Sequence, residues 1–345
     1  MTTSKKIFFK LVAPFNFLVP FRLLERLSAC KIMVPLYHAV SNSQPMHLSY
    51  LYDIRDTRRF VGDMDMLLKY FKPVDLVQLL DILQNKKAIN NPVFHLTFDD
   101  GLAEFDTVVA PILLKKGIPA TCFLNSDFID NKKMFFRFKA SIIIDQLHNA
   151  EAGSEAWKKF HQWIKVNNLE NKYYRKILLE IGYDKKHLLD ELAKKLEIDF
   201  NLYLRKYKPY LEEKQITSLL KKGFTFGAHS TDHPEYRFID EKEQIKQTGD
   251  SVEHITTTFD LPYKVFAFPF TDYGISLNFF EAVHREYNID LTFGCAGIKQ
   301  DAVPFNLQRM PVEEYHECLK GYIKKEYLYY QFLKLLGKGQ IKRSK

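Results

Sequence analysis

Cysteine is scarce in this chain: four among 345 residues, Cys30, Cys122, Cys295 and Cys318, widely scattered and with no C-x-x-C pair. A disulfide framework is therefore not indicated, and thiol nucleophile chemistry has no supporting motif. Cys122 sits in an apolar run and reads as a core residue. Long apolar runs are lacking as well. The stretch at 7–21 (IFFKLVAPFNFLVPF) is shorter than the roughly 20 residues a membrane-crossing helix needs. Lys10 interrupts it, and Pro14 and Pro20 break its helicity. No long low-complexity tract argues for disorder, and 46% hydrophobic residues are enough for a sizeable core. The aromatic-plus-basic signatures of RNA-binding modules are missing, which sets nucleic acid aside as a partner.

Charge of one sign gathers at the ends. The net +8 is concentrated in Lys5, Lys6 and Lys10 at the start and in Lys338, Lys342, Arg343 and Lys345 at the finish. Such ends suit an anionic membrane surface; for the last eight residues the simpler reading, a solvated basic tail, is preferred. LSAC at 27–30 looks like a lipoprotein cleavage box, but Arg22, Glu25 and Arg26 stand where a signal peptide is apolar. Residues 1–31 therefore read as an amphipathic segment that lies on a membrane or packs on the domain, in preference to a cleaved signal. This points to the cytoplasm or the cytoplasmic face of the membrane, with export to the cell envelope as the alternative.

From residue 32 onward strand and helix patterns alternate. The run at 33–37 is short and apolar, and Phe60, Met64, Leu67, Leu68 and Phe71 recur at helical spacing. A second strand is predicted at 93–98. Phe105, Val108, Val109 and Ile112 give the next helix, which Gly117 closes ahead of Pro119. A third strand is predicted at 120–124. The charged, Lys-rich segment at about 131–215 breaks the rhythm and reads as an insertion of helices. Strands return at 224–228, 265–268 and 290–293. Asp240-x-x-Glu243 resembles a capping box, and Ser276 can cap a further helix. Repeated β–α units predict an α/β fold with parallel strands. The chain divides into an apolar and basic segment at 1–31, an α/β barrel at 32–320 carrying the insertion, and a basic helix and tail at 321–345.

TFDDG at 97–101 ends the second strand. Two adjacent carboxylates, Asp99 and Asp100, are costly at a buried strand end unless a metal or other cation compensates them. In an α/β barrel, strand ends are also where active sites are built. Alone, D-D-G reads first as a surface turn. HSTDHP at 229–234 follows another predicted strand. His229 and His233 stand four apart, as in a helical metal pair, but Pro234 disfavours helix at His233, which places both in a loop. Two His and one Asp make a three-ligand site with open positions, as catalytic zinc sites have, and other divalent metals use the same set. The plain alternative is two ordinary loop histidines.

Together, TFDDG and HSTDHP resemble the first two motifs of the polysaccharide deacetylase family, the NodB-like carbohydrate esterases. YHAV at 37–40, PIL at 111–113 with GIPAT at 117–121, and FAFPF at 266–270 resemble further family stretches, the last being the F-A-Y-P-like form of the third motif. The resemblance covers about 32–130 and 210–312. It implies a distorted (β/α)7-type barrel, a carbohydrate substrate with acetamido sugars, and a divalent metal, Zn²⁺ first and Co²⁺, Ni²⁺ or Mn²⁺ as alternatives. It implies that Asp100, His229 and His233 hold the metal, that Asp99 stays off it as general base, and that the Phe270 backbone N–H contacts the oxyanion. Two departures stand out. Ala267 occupies the place where many members carry an Arg that pairs with the base; Arg309, in LQRMPV, is the candidate substitute, with a surface arginine as the equal alternative. The late L-x-H motif, whose His is the usual general acid, is not evident. The acid is left unassigned, with His38 at a strand end preferred to His316 and a structural histidine as the alternative. Asp272, just after the third motif, is a further residue that can point to the site.

The function expected is metal-dependent hydrolysis of N-acetyl (or O-acetyl) groups on a polysaccharide or glycan precursor. One alternative keeps the site and changes the substrate to a small amide or sugar, which a deep pocket closed by the insertion favours. The other is a glycan-binding protein with impaired chemistry, for which the missing Arg and His give room.

Overall fold

Two prolines divide the N-terminal apolar stretch. α1 (Thr3–Val12) ends before Pro14, and α2 (Phe21–Ser28) starts directly after Pro20, because proline has no N–H to give and crowds the preceding turn. The computed structural model describes residues 3–15, 18–169, 173–313 and 317–345; His316 lies outside the described residues. The run at 32–37 forms β1 (Ile32–Met33) and β2 (Pro35–Tyr37). After α3 (Thr57–Tyr70), β3 (Lys72–Pro73) and α4 (Leu76–Gln84), the run at 93–98 likewise splits into β4 (Val93–Phe94) and β5 (Leu96–Phe98). β1, β4 and β3 make a small ladder, whereas β2 and β5 belong to the main sheet. Each run changes partner at its middle. Pro35 has no N–H for a ladder, and the His95 ring is fixed between Val74 O (3.0 Å) and Thr121 Oγ1 (2.9 Å).

The helix expected from Phe105 begins as a π-helical turn, Phe105–Val109, in which the Ala110 N–H donates to the Phe105 carbonyl. Pro111 has no N–H to continue that register, and α5 (Ala110–Lys116) takes over until Gly117, whose φ is 65°. Between β6 (Ala120–Leu124) and β7 (Thr225–Ala228) run α6 (Phe136–Asn149), α7 (Glu155–Val166), α8 (Tyr174–Glu180), α9 (His187–Lys195), α10 (Phe200–Tyr207) and α11 (Glu213–Lys221). Phe138, Trp163 and Leu189 of these helices form an apolar core with Leu48 of a barrel loop, separate from the core under the barrel strands.

α12 (Glu241–Phe259), β8 (Val265–Ala267), α13 (Leu277–Tyr287) and β9 (Leu291–Gly294) follow. Ser276 caps α13 by accepting from the Phe279 N–H (3.0 Å). Asp240 caps α12 by accepting from the Glu243 N–H (2.9 Å), but the reciprocal half of the expected box is replaced: the Glu243 carboxylate accepts from Gln247 Nε2 (3.0 Å). The chain ends through β10 (Gln300–Asp301), β11 (Asn306–Gln308), β12 (Met310–Pro311), α14 (Leu319–Leu335) and β13 (Gln340–Ile341).

The main sheet runs β11-β9-β8-β7-β6-β5-β2-β12, with neighbours parallel. β11 and β12 are two halves of one segment separated by Arg309 alone, so adjacent residues fill the first and last places in the sheet. The sheet thus closes, or nearly closes, on itself as a distorted (β/α)7 barrel. β2, β5 and β6 are buried along their whole length, as parallel strands covered on both faces are.

The reading of the last eight residues as a solvated tail is corrected by β13 and by Arg343. β13 pairs in parallel with β10. The Arg343 side chain is 3% exposed; its Nη2 pairs with Asp301 Oδ2 (2.5 Å) and with Asp272, and its Nη1 donates to the Asp272 carbonyl (2.5 Å). Burial pushes Asp272 up, but Arg343 outweighs it and holds the carboxyl below its usual range. Arg343→Met is expected to cost about 3 kcal/mol at neutral pH by leaving buried carboxylates unpaired. Because the folded-state pKa of Asp272 is depressed, its contribution is present above the ordinary carboxylate range and lost as pH falls through the folded value. Urea midpoints at pH 7 and pH 4 check this: the difference between variant and parent shrinks on acidification.

Candidate metal centre and active site

The C-terminal ends of β5 and β7 carry the two motifs. Beyond Phe98, the Asp99 N–H donates to the Tyr37 carbonyl (3.0 Å), which keeps Asp99 in line with the sheet. Asp100 and Gly101 then both take left-handed conformations (φ 69° and 61°), and a Cβ at Gly101 would stand 2.7 Å from Leu124 Cδ2. That tight turn aims Asp100 across the barrel mouth. Beyond β7, Ser230 and His233 are also left-handed (φ 69° and 64°), and Ser230 Oγ accepts from the His233 N–H (3.0 Å). Left-handed backbone is costly away from glycine and concentrates at functional sites. Both histidines lie in this loop, not on a helix.

These turns bring Asp100, His229 and His233 together, with ligand atoms all within 4.8 Å of one another. His233 Nε2 stands 3.2 Å and His229 Nε2 3.6 Å from Asp100 Oδ1. His229 Nδ1 is 2.8 Å from the Ala267 carbonyl. A carbonyl only accepts, so Nδ1 carries the proton and Nε2 turns a bare lone pair toward Asp100. Burial lowers the His229 pKa to about 4, which leaves the ring neutral at physiological pH. Burial pushes Asp100 up, yet the neighbouring His233 outweighs this and keeps it ionised. Asp100 Oδ1 is buried and accepts no hydrogen bond from the protein. A buried carboxylate oxygen without a donor, facing two imidazoles, is a donor set that fits a divalent cation.

Asp99 is arranged differently. Its two oxygens meet Arg309 Nη1 (2.6 Å) and Nη2 (2.8 Å) in a bidentate pair, and Arg309 Nε donates to the Gly294 carbonyl (3.2 Å). Arg309 is fully buried, which corrects the alternative of a surface arginine. Burial raises Asp99, but the guanidinium prevails and holds it below its usual range.

His38 follows β2 with its ring partly open to solvent. Its Nδ1 meets Glu313 Oε2 (2.5 Å), and Glu313 Oε1 accepts from the backbone N–H groups of His38 (2.8 Å) and Ala39 (3.0 Å). Burial lowers its pKa, but Glu313, with Asp100 and Asp99 beyond, prevails and raises it to about 9. Asp272 does not point to this centre. It is engaged by Arg343, Gln308 Nε2 (2.6 Å) and Asn306 Nδ2 (3.0 Å). Phe270 has φ 56°, and its ring lies 4.8 Å from that of His233.

Several residues at the site were not singled out from sequence. Glu313 carries the same signal as Asp99, a carboxylate directly after a short apolar strand run. Phe135 covers His233 at 4.2 Å between rings. Asp232, between the two histidines, accepts from Tyr183 Oη (2.7 Å), Lys186 Nζ (2.5 Å) and Gln247 Nε2 (3.1 Å), so residues near α9 hold the histidine loop. His47 Nε2 and Tyr52 Oη are buried without partners, and both side chains feel the charge of Asp100. Their loop has no strand or helix pattern to reveal them.

A family model described as polysaccharide deacetylase matches residues 86–285, more than half of the chain. Among solved structures, the Streptococcus pyogenes deacetylase PplD in complex with acetate is similar at a TM-score of 0.54 and 14% identity, covering 86% of this chain and 98% of that one. IcaB from Ammonifex degensii is similar at 0.52 and 15% identity, covering 82% and 91%. A de-N-acetylase from Aggregatibacter actinomycetemcomitans is similar at 0.51 and 12%, covering 85% and 99%. At these identities the likeness shows a shared fold. No curated protein matches the chain in sequence.

Proposed function

Because the chain belongs to the polysaccharide deacetylase family, we propose that it hydrolyses N-acetyl (or O-acetyl) groups on a polysaccharide or glycan precursor with a divalent cation, Zn²⁺ first, held by Asp100, His229 and His233. The observation that carries this reading is the buried Asp100 Oδ1, which accepts no hydrogen bond while facing two imidazole nitrogens, beside an Asp99 kept ionised by Arg309. A cation bound there supplies Lewis acidity to the acyl carbonyl and to water.

The chain's own residues do the rest. Asp99 takes the proton of the attacking water; each of its oxygens keeps a second lone pair beyond the bond to Arg309. Arg309 holds the carboxylate in one orientation and in its basic form. His38 is cationic at neutral pH, its Nδ1–H held by Glu313, and its Nε2–H gives a proton to the departing nitrogen as the acyl C–N bond breaks. The histidine loop keeps its shape through Asp232. A cleft of about 660 Å³, with Lys132, Lys133, Lys139, Lys186 and the half-buried Phe200 in its walls, runs alongside this loop to Asp232 and has room for a sugar unit.

A second reading, a small acetylated amide or sugar as substrate, has one observation in its favour: Asp100 and His233 are only 5% and 4% exposed, beneath Phe135. Acetate release from acetylated chito-oligosaccharides of increasing length, with protein stripped by chelator and reloaded with Zn²⁺ or Co²⁺, decides between them. Release that vanishes on stripping, returns on reloading and rises with chain length is expected. Release from monosaccharides alone favours the second reading, and a protein that takes up no divalent ion refutes both.

A further inference from the structure

Three helices at the two ends of the chain bury one face and leave a second apolar face outside. On α2, Phe21 and Leu24 are buried, whereas Leu23 and Leu27, one turn apart, are 47% and 57% exposed. On α1, Phe9 is buried and Ile7 and Leu11, again one turn apart, are 55% and 66% exposed. The last turns of α14 bury Tyr330 and Leu333 and leave Leu335 and Leu336 87% and 52% exposed. The end of α14 lies between the other two helices: the Phe332 ring stacks on Phe8 of α1 at 5.2 Å, and Gln331 Nε2 donates to the Leu27 carbonyl of α2 (2.7 Å). The three exposed stripes are therefore neighbours. Contiguous exposed apolar surface of this kind marks an interaction site.

The charges around it are of one sign. On α1 and α2, a basic pair precedes each apolar pair by one residue, Lys6 and Lys10 before Ile7 and Leu11, Arg22 and Arg26 before Leu23 and Leu27, and all four basic residues are exposed. At the end of α14, Lys334 and Lys338, both exposed, flank Leu335 and Leu336 on either side. The acidic residues of these helices are turned inward: Glu25 is 9% exposed, and Glu326, 2% exposed, is paired with Lys5. Among the described residues, no helix is long and apolar enough to cross a membrane.

We propose that α1, α2 and the end of α14 together form a docking face for the surface of an anionic lipid bilayer, with the apolar stripes entering the headgroup boundary and the Lys and Arg pairs meeting lipid phosphates. Apolar side chains one turn apart flanked by basic ones are what an interfacial helix presents. A second copy of the chain is disfavoured as the occupant, because a symmetric contact would set basic residues against basic residues. The face is built from the two chain ends and shares no residue with the metal centre, so it stands independently of the proposed hydrolysis.

The test is flotation of the full chain with vesicles of phosphatidylcholine alone or with a third phosphatidylglycerol. At least tenfold stronger binding to the anionic vesicles, weakening as salt rises, is expected. Lys10→Glu/Arg26→Glu should weaken it at least tenfold, since each basic residue near an anionic surface contributes about fivefold. Leu23→Gln/Leu27→Gln should also weaken it, with the urea midpoint unchanged because both residues are exposed; Val77→Gln, exposed elsewhere at 59%, should have no effect. Equal binding to both vesicles, or to neither, overturns the proposal. So does a dimer seen by light scattering that Leu23→Gln/Leu27→Gln abolishes while vesicles bind nothing, which makes the face a self-association surface.

Discussion

Asp99→Asn is expected to lower the rate of acetate release by about 10²–10⁴-fold, the range a positioned general base supplies, while the protein still takes up a divalent ion. The amide keeps the shape of the carboxylate and can still accept one bond from Arg309, but it cannot hold the water's proton. The three groups assigned to the cation are left untouched, so metal content separates this variant from His229→Ala, which should lose the ion as well as the activity. The substitution also leaves the buried Arg309 without its counter-charge, a situation that costs about 3–5 kcal/mol when a buried pair loses one member. Turnover must therefore be measured on protein shown to be folded by its urea midpoint. Release that stays within tenfold of the parent would remove Asp99 from the role of base.

Arg309→Met should act through both stability and pH. The guanidinium is fully buried, makes two bonds to Asp99 and sits 5.3 Å from the Phe123 ring. Without it, burial is left to dominate and the Asp99 pKa rises. A group whose folded pKa is depressed contributes stability above its unfolded value, so the loss, about 3–5 kcal/mol, is greatest near neutral pH. It shrinks in acid, where the variant's Asp99 is protonated and no longer needs a partner. Activity requires the ionised carboxylate, so the acidic limb of kcat/KM moves to higher pH. An unmoved limb would mean that some other group titrates there, and a melting curve identical at pH 7 would mean that the pair contributes nothing to the fold.

Local patterns carried much of this molecule. TFDDG and HSTDHP were legible because each follows directly on an apolar strand run, and parallel strands deliver their C-terminal ends to one side of a barrel. Pro234 sufficed to reject a helix at His233. What escaped the sequence were pairings across long separations. Arg309 and Asp99 stand 210 residues apart and His38 and Glu313 275, and no spacing rule joins them. Asp272 and Arg343 failed for the same reason, each appearing solvent-bound or site-directed until the other was seen beside it. The split of the 32–37 and 93–98 runs between two sheets was hidden too, since periodicity reports burial and not the identity of the neighbouring strand.

The place of Arg309 in the barrel has a consequence for when the site exists at all. The segment 306–311 is both the last stave to be made by the ribosome and the one that shuts the barrel, and the guanidinium projects from the single residue at which it changes partners. Until that stave is seated, Asp99 lies in an unfinished mouth without the guanidinium that fixes its two oxygens. Closure of the barrel and orientation of this carboxylate are thus one event, an interlock: an excursion that unlatches residues 306–311 takes the guanidinium away from Asp99.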